Sequence, residues 1–296
     1  MLTKKDKEKR WLITIDLDGT LISNGNEKTE TDEYTISEKN IKSIQKCIDL
    51  GHKVAIVTGR PWRNTKTIYE KINLHTIVGN YNGAHIHHPH DVGFSEIKTA
   101  MNRKNFRRIL DIDLVKKTLK NFIIEFDDAT YMYDTKDKKM RALFHIEDKE
   151  HSNLLQCGLD FLPHKDPFVM AFRFDYSKTD RYTLITTLKR KFGQALNFRY
   201  WINDYRKTLC MEVNQKFISK AYAMNFIASY YNIPQSQTIA FGDGENDVEM
   251  LNTAELGVAM KNSTDLVKSY ARDVTDYNNY EDGVGKYLDK FFKKEN

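Results

Sequence analysis

A chain of 296 residues, with 40% hydrophobic and 29% charged side chains, is long enough for one large domain or two modest ones with real cores. Its net charge of +5 suits anionic substrates without requiring nucleic acid, and no stretch approaches the length of a membrane span. Three cysteines, far apart in sequence, argue against a disulfide framework and fit a reducing cytoplasm. We therefore expect a cytoplasmic protein with neither nucleic acid nor a membrane as partner; its oligomeric state is left open.

The first predicted strand ends in two aspartates. Residues 11–15 are apolar, β-branched and too few for a helix, so they predict a buried strand. Asp16 and Asp18 follow at its carboxyl end, where open α/β sheets bind their ligands, and Leu17 between them points to the other face. Two carboxylates placed there repel each other unless a cation joins them, and oxygen ligands suit Mg²⁺. Taken alone, the stretch is also compatible with a plain strand followed by an Asp-Gly turn.

Helices and strands alternate in the rest of the first third. The polar stretch at 24–34 predicts a loop. Four elements follow it: a helix from Ser37 to Gly51, a strand at 53–57, a helix from Pro61 to near Ile72 and a strand at 75–78. This alternation is typical of a parallel, doubly wound sheet.

The middle third has a different pattern, with helices mixed among antiparallel strands. The run from His85 to His90 carries four histidines and is broken by Pro89, and His85 and His87 would share one strand face. We favour a solvated hinge for this run, with a transition-metal site as the alternative. Residues 103–117 and 147–158 each predict a helix.

The alternating pattern returns at Ser219 with a helix, a strand at 238–241 and a further helix. We therefore predict an α/β protein with a Rossmann-like, doubly wound parallel-sheet core in two parts, residues 1–84 and 208–296. An α+β domain, residues 85–207, is inserted between them.

Side chains suited to phosphoryl transfer stand at strand ends or helix starts. Asp16 is the candidate nucleophile, able to form an aspartyl-phosphate, and Asp18 is the candidate acid and base. Thr58 and the backbone N–H of Gly59 can donate to phosphoryl oxygens, and Lys220 supplies a positive charge. Separately, these residues could be a turn and a surface lysine; their joint occurrence on one edge of one sheet favours the catalytic interpretation.

A second acidic group follows the strand at 238–241. Asp243 can complete a metal site, while Asn246 and Asp247, at the start of the next helix, can bind phosphate and hold the waters of the metal. This run could also be a loop or a Ca²⁺ site, although it lacks the alternating ligands and terminal glutamate of the helix-loop-helix calcium loop.

These four pieces resemble motifs I to IV of the haloacid dehalogenase-like superfamily. The match lies in residues 16–20, Thr58, Lys220 and residues 242–251. Within the superfamily, the chain is similar to the Cof-like phosphatases, through Asn82-Gly83-Ala84 and residues 257–262 among others. The long interval between Thr58 and Lys220 is where that group carries its type IIB cap. The resemblance implies a cap that closes over the site and selects the substrate.

The resemblance also implies an activity: an Mg²⁺-dependent phosphomonoesterase acting on sugar phosphates or phosphorylated cofactors. Phosphate is expected to be bound by Leu17, Thr58, Gly59, Lys220 and Asn246. The metal is expected to be bound by Asp16, Asp18, Asp243 and Asp247. Two alternatives remain open: a phosphotransferase or mutase that uses the same nucleophile, and a non-catalytic sensor of a phosphorylated ligand.

Overall fold

The computed structural model describes residues 9–22, 35–144, 146, 153–161, 163–203 and 207–293. Contacts group the chain into two units, a core unit (residues 1–59, 65–97 and 219–296) and an inserted unit (residues 60–64 and 98–218). The domain boundaries predicted after residues 84 and 207 stay a prediction. The loop predicted at 24–34 lies outside the described residues.

A five-stranded parallel sheet forms the centre of the core unit, in the order β14-β13-β12-β1-β2. Its strands are β1 (Leu12–Ile15), β2 (Lys53–Ile56), β12 (Thr238–Gly242), β13 (Leu256–Ala259) and β14 (Asp273–Val274). All four residues of β1 are buried, because a central strand of a parallel sheet is covered on both faces. The predicted α/β core is confirmed.

Helices precede or follow these strands along the chain. They are α1 (Glu38–Asp49), α2 (Trp62–Ile72), α7 (Lys220–Tyr230), α8 (Val248–Thr253), α9 (Asp265–Ser269) and α10 (Gly283–Phe291). The Ser37 hydroxyl accepts a hydrogen bond from the backbone N–H of Asn40 and so caps α1, as predicted. No helix in the described part of the chain has both the length and the apolar character to cross a bilayer.

A separate three-stranded sheet contains β3 (Val78–Asn80), β4 (His85–His87) and β5 (Ile97–Lys98). The strand predicted at 75–78 therefore begins only at Val78, and β3 pairs with β4 in antiparallel orientation. The solvated hinge predicted at His85–His90 is wrong for its first half. His85 and His87 are 7% and 6% exposed, and Ile86 between them is fully buried. Both faces of β4 are covered, which local sequence polarity did not indicate.

The inserted unit contains a six-stranded sheet in the order β10-β11-β9-β6-β7-β8. Its strands are β6 (Leu119–Glu125), β7 (Thr130–Met132), β8 (Leu154–Gln156), β9 (Val169–Phe174), β10 (Leu196–Asn203) and β11 (Thr208–Gln215). All neighbours are antiparallel except β7 and β8, which are parallel. Its helices are α3 (Lys104–Leu110), α4 (Asp113–Thr118), α5 (Lys138–Leu143) and α6 (Arg181–Phe192).

Two helix predictions fail in this unit. The helix predicted at 147–158 is wrong at Leu154–Gln156, where the chain forms the edge strand β8 by pairing with β7; residues 147–152 lie outside the described residues. The helix predicted at 103–117 is two short helices, because Asp111 ends α3 and Ile112 is extended. At residues 154–156 strand pairing overrides the helical pattern, and at residues 111–112 a break in the backbone interrupts it.

His52 makes the stability of the core unit sensitive to acid. Its buried ring stacks on Phe292, and its Nδ1 accepts a hydrogen bond from the backbone N–H of Trp11, at 3.2 Å. Burial lowers the pKa of His52 from 6.5 to about 4. Between pH 6.5 and 4 the unfolded chain therefore takes up a proton at His52 that the folded chain does not, so the contribution of His52 to stability is fully present above pH 6.5 and is lost as the pH falls toward 4.

When the pH is lowered from 7 to 5, protonation of His52 in the unfolded chain should by itself reduce the free energy of unfolding by about 2 kcal/mol. His52→Asn keeps an acceptor but cannot titrate, so it should be less stable at pH 7 yet lose less stability on acidification. Urea unfolding at the two pH values measures the difference. The exposed His75→Asn serves as the control, and an equal acid-induced loss in His52→Asn and the wild type would contradict the assignment.

Candidate active site

The carboxyl ends of two neighbouring strands place the first aspartate next to the second acidic group. β1 and β12 are parallel neighbours with Ile15 opposite Phe241, and the backbone N–H of Asp16 donates to the Phe241 carbonyl at 3.1 Å. Asp243 follows the last residue of β12 directly. Motifs that are more than 220 residues apart in sequence thus meet at one sheet edge, as an open α/β sheet requires.

Lys220 joins the two acidic groups. Its Nζ lies 2.7 Å from Oδ1 of Asp16 and 2.6 Å from Oδ1 of Asp247. The side chains of Lys220 and Asp247 are fully buried and that of Asp16 is 7% exposed. Burial lowers the pKa of Lys220, but the two carboxylates outweigh it and raise the pKa, so the ammonium stays charged. A buried cation of this kind is tolerated only because each charge has a partner.

Three carboxylates form an acidic cluster, here defined as Asp16, Asp243 and Asp247, with one oxygen from each within 4.8 Å of the others. Burial raises the pKa of Asp16 well above its usual value, Lys220 opposes this, and the neighbouring carboxylates add to it. Burial and Asp247 raise the pKa of Asp243 to about 7. The excess of buried negative charge over the single lysine suits a bound cation. Asp18, predicted as a fourth ligand, is outside this group and is half-buried.

Gly19 and Thr20 position Asp243, a role that the sequence reasoning did not assign. The Thr20 hydroxyl donates to Oδ1 of Asp243 at 3.0 Å. Gly19 has a φ of +73°, and a Cβ atom built there would lie 2.2 Å from Oδ2 of Asp243. Any side chain at this position would be strained and would displace the carboxylate. The Asp-Gly-Thr sequence itself was the signal that could have revealed this.

Backbone N–H groups orient Asp247. Its Oδ2 accepts hydrogen bonds from the backbone N–H of Asp243 at 3.1 Å and of Gly244 at 2.9 Å. Its Oδ1 meets Lys220. Each carboxylate oxygen of Asp247 therefore has a defined partner, and these contacts orient the side chain beside Asp243.

Asn82 connects two of the predicted phosphate-binding segments. Its backbone N–H donates to the Thr58 carbonyl at 2.9 Å, and its Oδ1 accepts from Nδ2 of Asn246 at 3.0 Å. Asn82 has a φ of 56°, a left-handed conformation that asparagine tolerates better than most residues. A Cβ atom at Gly59 would lie 3.5 Å from the Asn82 amide. The sequence pattern marked Asn82 as part of a family signature but gave it no role.

Three other residues predicted to bind phosphate, Thr58, Leu17 and Lys220, differ from one another in burial and in the groups they contact. Thr58 is fully buried just beyond β2, and its backbone N–H donates to Gly79 at 2.9 Å. The Leu17 side chain is fully buried and apolar, so only its backbone could meet a phosphate. Lys220 forms ion pairs with both Asp16 and Asp247, so its side chain holds these two carboxylates in position.

The fold and the site define an α/β protein with a carboxylate site at the carboxyl edge of a parallel sheet. Residues 13–288 match the family model of the haloacid dehalogenase-like hydrolases. A protein of Metamycoplasma hominis is 34% identical over 97% of this chain and 98% of its own length. The Bacillus subtilis 5-amino-6-(5-phospho-D-ribitylamino)uracil phosphatase YitU is 31% identical over 96% of this chain and 98% of its own.

A solved structure supports the same fold. The subclass IIB sugar phosphatase BT4131 superposes with a TM-score of 0.73, covering 95% of this chain and 98% of its own at 21% identity. This chain belongs to the haloacid dehalogenase-like hydrolases and is an enzyme of the phosphatase group of that family. The family resemblance found in the sequence is thereby confirmed.

Proposed function

We propose that this enzyme is an Mg²⁺-dependent phosphomonoesterase that works through an aspartyl-phosphate on Asp16. The observation that carries the proposal is the buried Asp16 carboxylate, held at 2.7 Å by Lys220 inside the acidic cluster. A structural aspartate does not need two further carboxylates beside it, one buried and one half-buried. A nucleophile that works next to a cation and a phosphoryl group does.

The proposed chemistry has two steps. In the first, an oxygen of Asp16 attacks phosphorus, the bond from phosphorus to the ester oxygen breaks, and Asp18 gives a proton to the leaving alcohol. In the second, Asp18 takes a proton from water, and the hydroxyl oxygen attacks phosphorus and releases Asp16 and phosphate. The half-buried position of Asp18, outside the acidic cluster, is compatible with proton exchange. Thr58, Gly59 and Asn246 would hold the phosphoryl oxygens.

The donor set fits Mg²⁺. Asp16, Asp243 and Asp247 offer only carboxylate oxygens, which are the ligands of hard cations. We infer that these three residues would hold the ion, whereas Asp18, predicted as a fourth ligand, lies outside the group and is proposed as the acid and base. When bound, it supplies positive charge to the phosphoryl oxygens and lowers the repulsion between the phosphate and the carboxylates.

The first substrate to test is 5-amino-6-(5-phospho-D-ribitylamino)uracil, because it is named for YitU, a relative that matches nearly the whole chain. Sugar phosphates are the second class, in keeping with the sequence resemblance. Three free cysteines and a mild net charge are consistent with action on small anionic metabolites in the cytoplasm.

Phosphate release from a panel of phosphomonoesters, with Mg²⁺ and with EDTA, tests the proposal. We expect metal-dependent release, with alcohol and phosphate in equal amounts. Alcohol in excess of phosphate, with the phosphoryl group on a second hydroxyl, would instead identify a phosphotransferase. Binding of the esters without turnover by Mg²⁺-loaded protein would favour the sensor.

Asp18→Asn separates the proposed acid from the nucleophile. We expect hydrolysis of alkyl phosphates to fall by about 10²–10⁴-fold, because their leaving groups need a proton. Formation of the phosphoenzyme from an aryl phosphate with a good leaving group should be spared, and mixing with that ester should give a burst of free phenol. Equal activity of the variant and the wild type on alkyl esters would contradict the acid role.

A further inference from the structure

We propose that His85, His87 and Glu96 form a second metal site, which binds Zn²⁺ and is built from different residues than the acidic cluster. One ring nitrogen of each histidine and one carboxylate oxygen of Glu96 lie within 4.8 Å of one another. Two imidazoles and a carboxylate are a recurring zinc donor set with room for a fourth ligand such as water. Imidazole nitrogen is a poor ligand for Mg²⁺, so the two sites would select different cations.

The separation of His85 and Glu96 matches a shared ion. Nε2 of His85 lies 3.3 Å from Oε2 of Glu96. Zinc bonds of about 2.0–2.1 Å to nitrogen and oxygen, opened to a tetrahedral angle, place two ligand atoms about 3.3 Å apart. For a hydrogen bond to a carboxylate, the same distance is long, since charge-assisted pairs close to about 2.7–2.9 Å.

His87 is oriented by a partner behind it. Its Nε2 lies 3.1 Å from Oδ1 of Asn80, while Nδ2 of Asn80 donates to the Thr65 hydroxyl at 2.9 Å. Because an amide oxygen only accepts, Nε2 of His87 must donate, which puts the lone pair of the ring on Nδ1. Metal-binding histidines characteristically donate their second nitrogen to such a partner, which fixes the tautomer and the ring plane. Asn80 would therefore be the supporting residue of the site.

The position of the three residues favours an ion over a surface cluster. His85 and His87 alternate on β4, and their rings stack with centroids 4.4 Å apart and planes 12° from parallel. Both are nearly buried, whereas the side chain of Glu96 is 48% exposed, which gives an ion a route from solvent. An ion there would clamp β4 to the segment before β5, closing a loop around Pro89. We infer a structural role for it, independent of the proposed function.

Zinc binding to tag-free protein tests this site, measured by calorimetry in excess Mg²⁺ so that the acidic cluster is occupied. We expect one Zn²⁺ per chain and a higher melting temperature with Zn²⁺. Glu96→Gln, at an exposed carboxylate, should keep the fold but weaken Zn²⁺ binding at least tenfold. Asn80→Ala should weaken binding about 10–100-fold through His87. Added Co²⁺ should give the strong visible absorption of a four-coordinate site, and Glu96→Gln should abolish it.

Two matched controls lie on the same unit. Glu70→Gln removes an exposed carboxylate, and His75→Gln removes an exposed imidazole. Both should bind Zn²⁺ as the wild type does. The proposal is overturned if the wild type binds no Zn²⁺ in excess Mg²⁺, or if Glu96→Gln binds Zn²⁺ with unchanged affinity. Because neither result depends on phosphatase activity, failure of this site would leave the proposed function standing.

Discussion

We expect Asp16→Asn to reduce phosphate release by at least about 10⁴-fold, which is the scale of removing a nucleophile. Asparagine has nearly the same shape, but its amide cannot attack phosphorus. The fold should survive, because Lys220 keeps Asp247 as a charged partner at 2.6 Å, and because burial already raises the pKa of Asp16 and so disfavours its charged form. Steady-state release of phosphate, together with urea unfolding of the same preparation, measures both effects.

Asp49→Asn is the control for this change, because Asp49 is an exposed aspartate at the end of α1. It should have the activity and the stability of the wild type. Appreciable turnover by Asp16→Asn would rule out Asp16 as the nucleophile. Acid quenching after mixing with substrate adds a direct check, since the wild type should retain an acid-stable phosphoryl group and the variant should not.

Lys220→Met should have the largest effect on stability. Methionine fills a similar volume but leaves Asp16 and Asp247 buried without the cation that lies 2.7 and 2.6 Å from them. Breaking a buried ion pair on one side costs about 3–5 kcal/mol, because the remaining charge is uncompensated. We expect that loss in the free energy of unfolding, measured by urea denaturation in EDTA.

Mg²⁺ should restore part of this stability, since a cation bound by the acidic cluster takes over some of the neutralisation. The difference between unfolding in Mg²⁺ and in EDTA should therefore be greater for Lys220→Met than for the wild type. Lys216→Met, at an exposed lysine directly after β11 in the inserted unit, makes the same change in charge and should be neutral. If Lys220→Met were as stable as Lys216→Met in EDTA, the organising role of Lys220 would be wrong.

The sequence was most informative where a pattern is local. The apolar run at 11–15 predicted β1 because a short β-branched segment has few alternatives to a buried strand. Ser37 predicted the start of α1 because a capping hydroxyl satisfies N–H groups only a few bonds away. Asp16 and Asp243 were placed at one sheet edge because parallel strands bring their carboxyl ends together.

The sequence was least informative where burial or pairing comes from distant segments. Residues 154–156 look helical in isolation but form β8, because β7 offers an edge with which to pair. His85 and His87 looked solvated, yet the antiparallel partner β3 and the covering of both faces of β4 bury them. Polarity and spacing describe a segment alone, whereas exposure depends on everything packed against it.

The sequence by itself determined the class of fold, the order of the core elements and the residue types available for chemistry, because these depend on periodicity and on motifs of a few residues. Only the tertiary structure decided how those residues share charges and hydrogen bonds. It paired Lys220 with two carboxylates, set Asn82 between Thr58 and Asn246, and placed Glu96 beside two buried histidines. The reason is physical: distances between side chains that are distant in sequence are fixed by packing, and no local pattern records them.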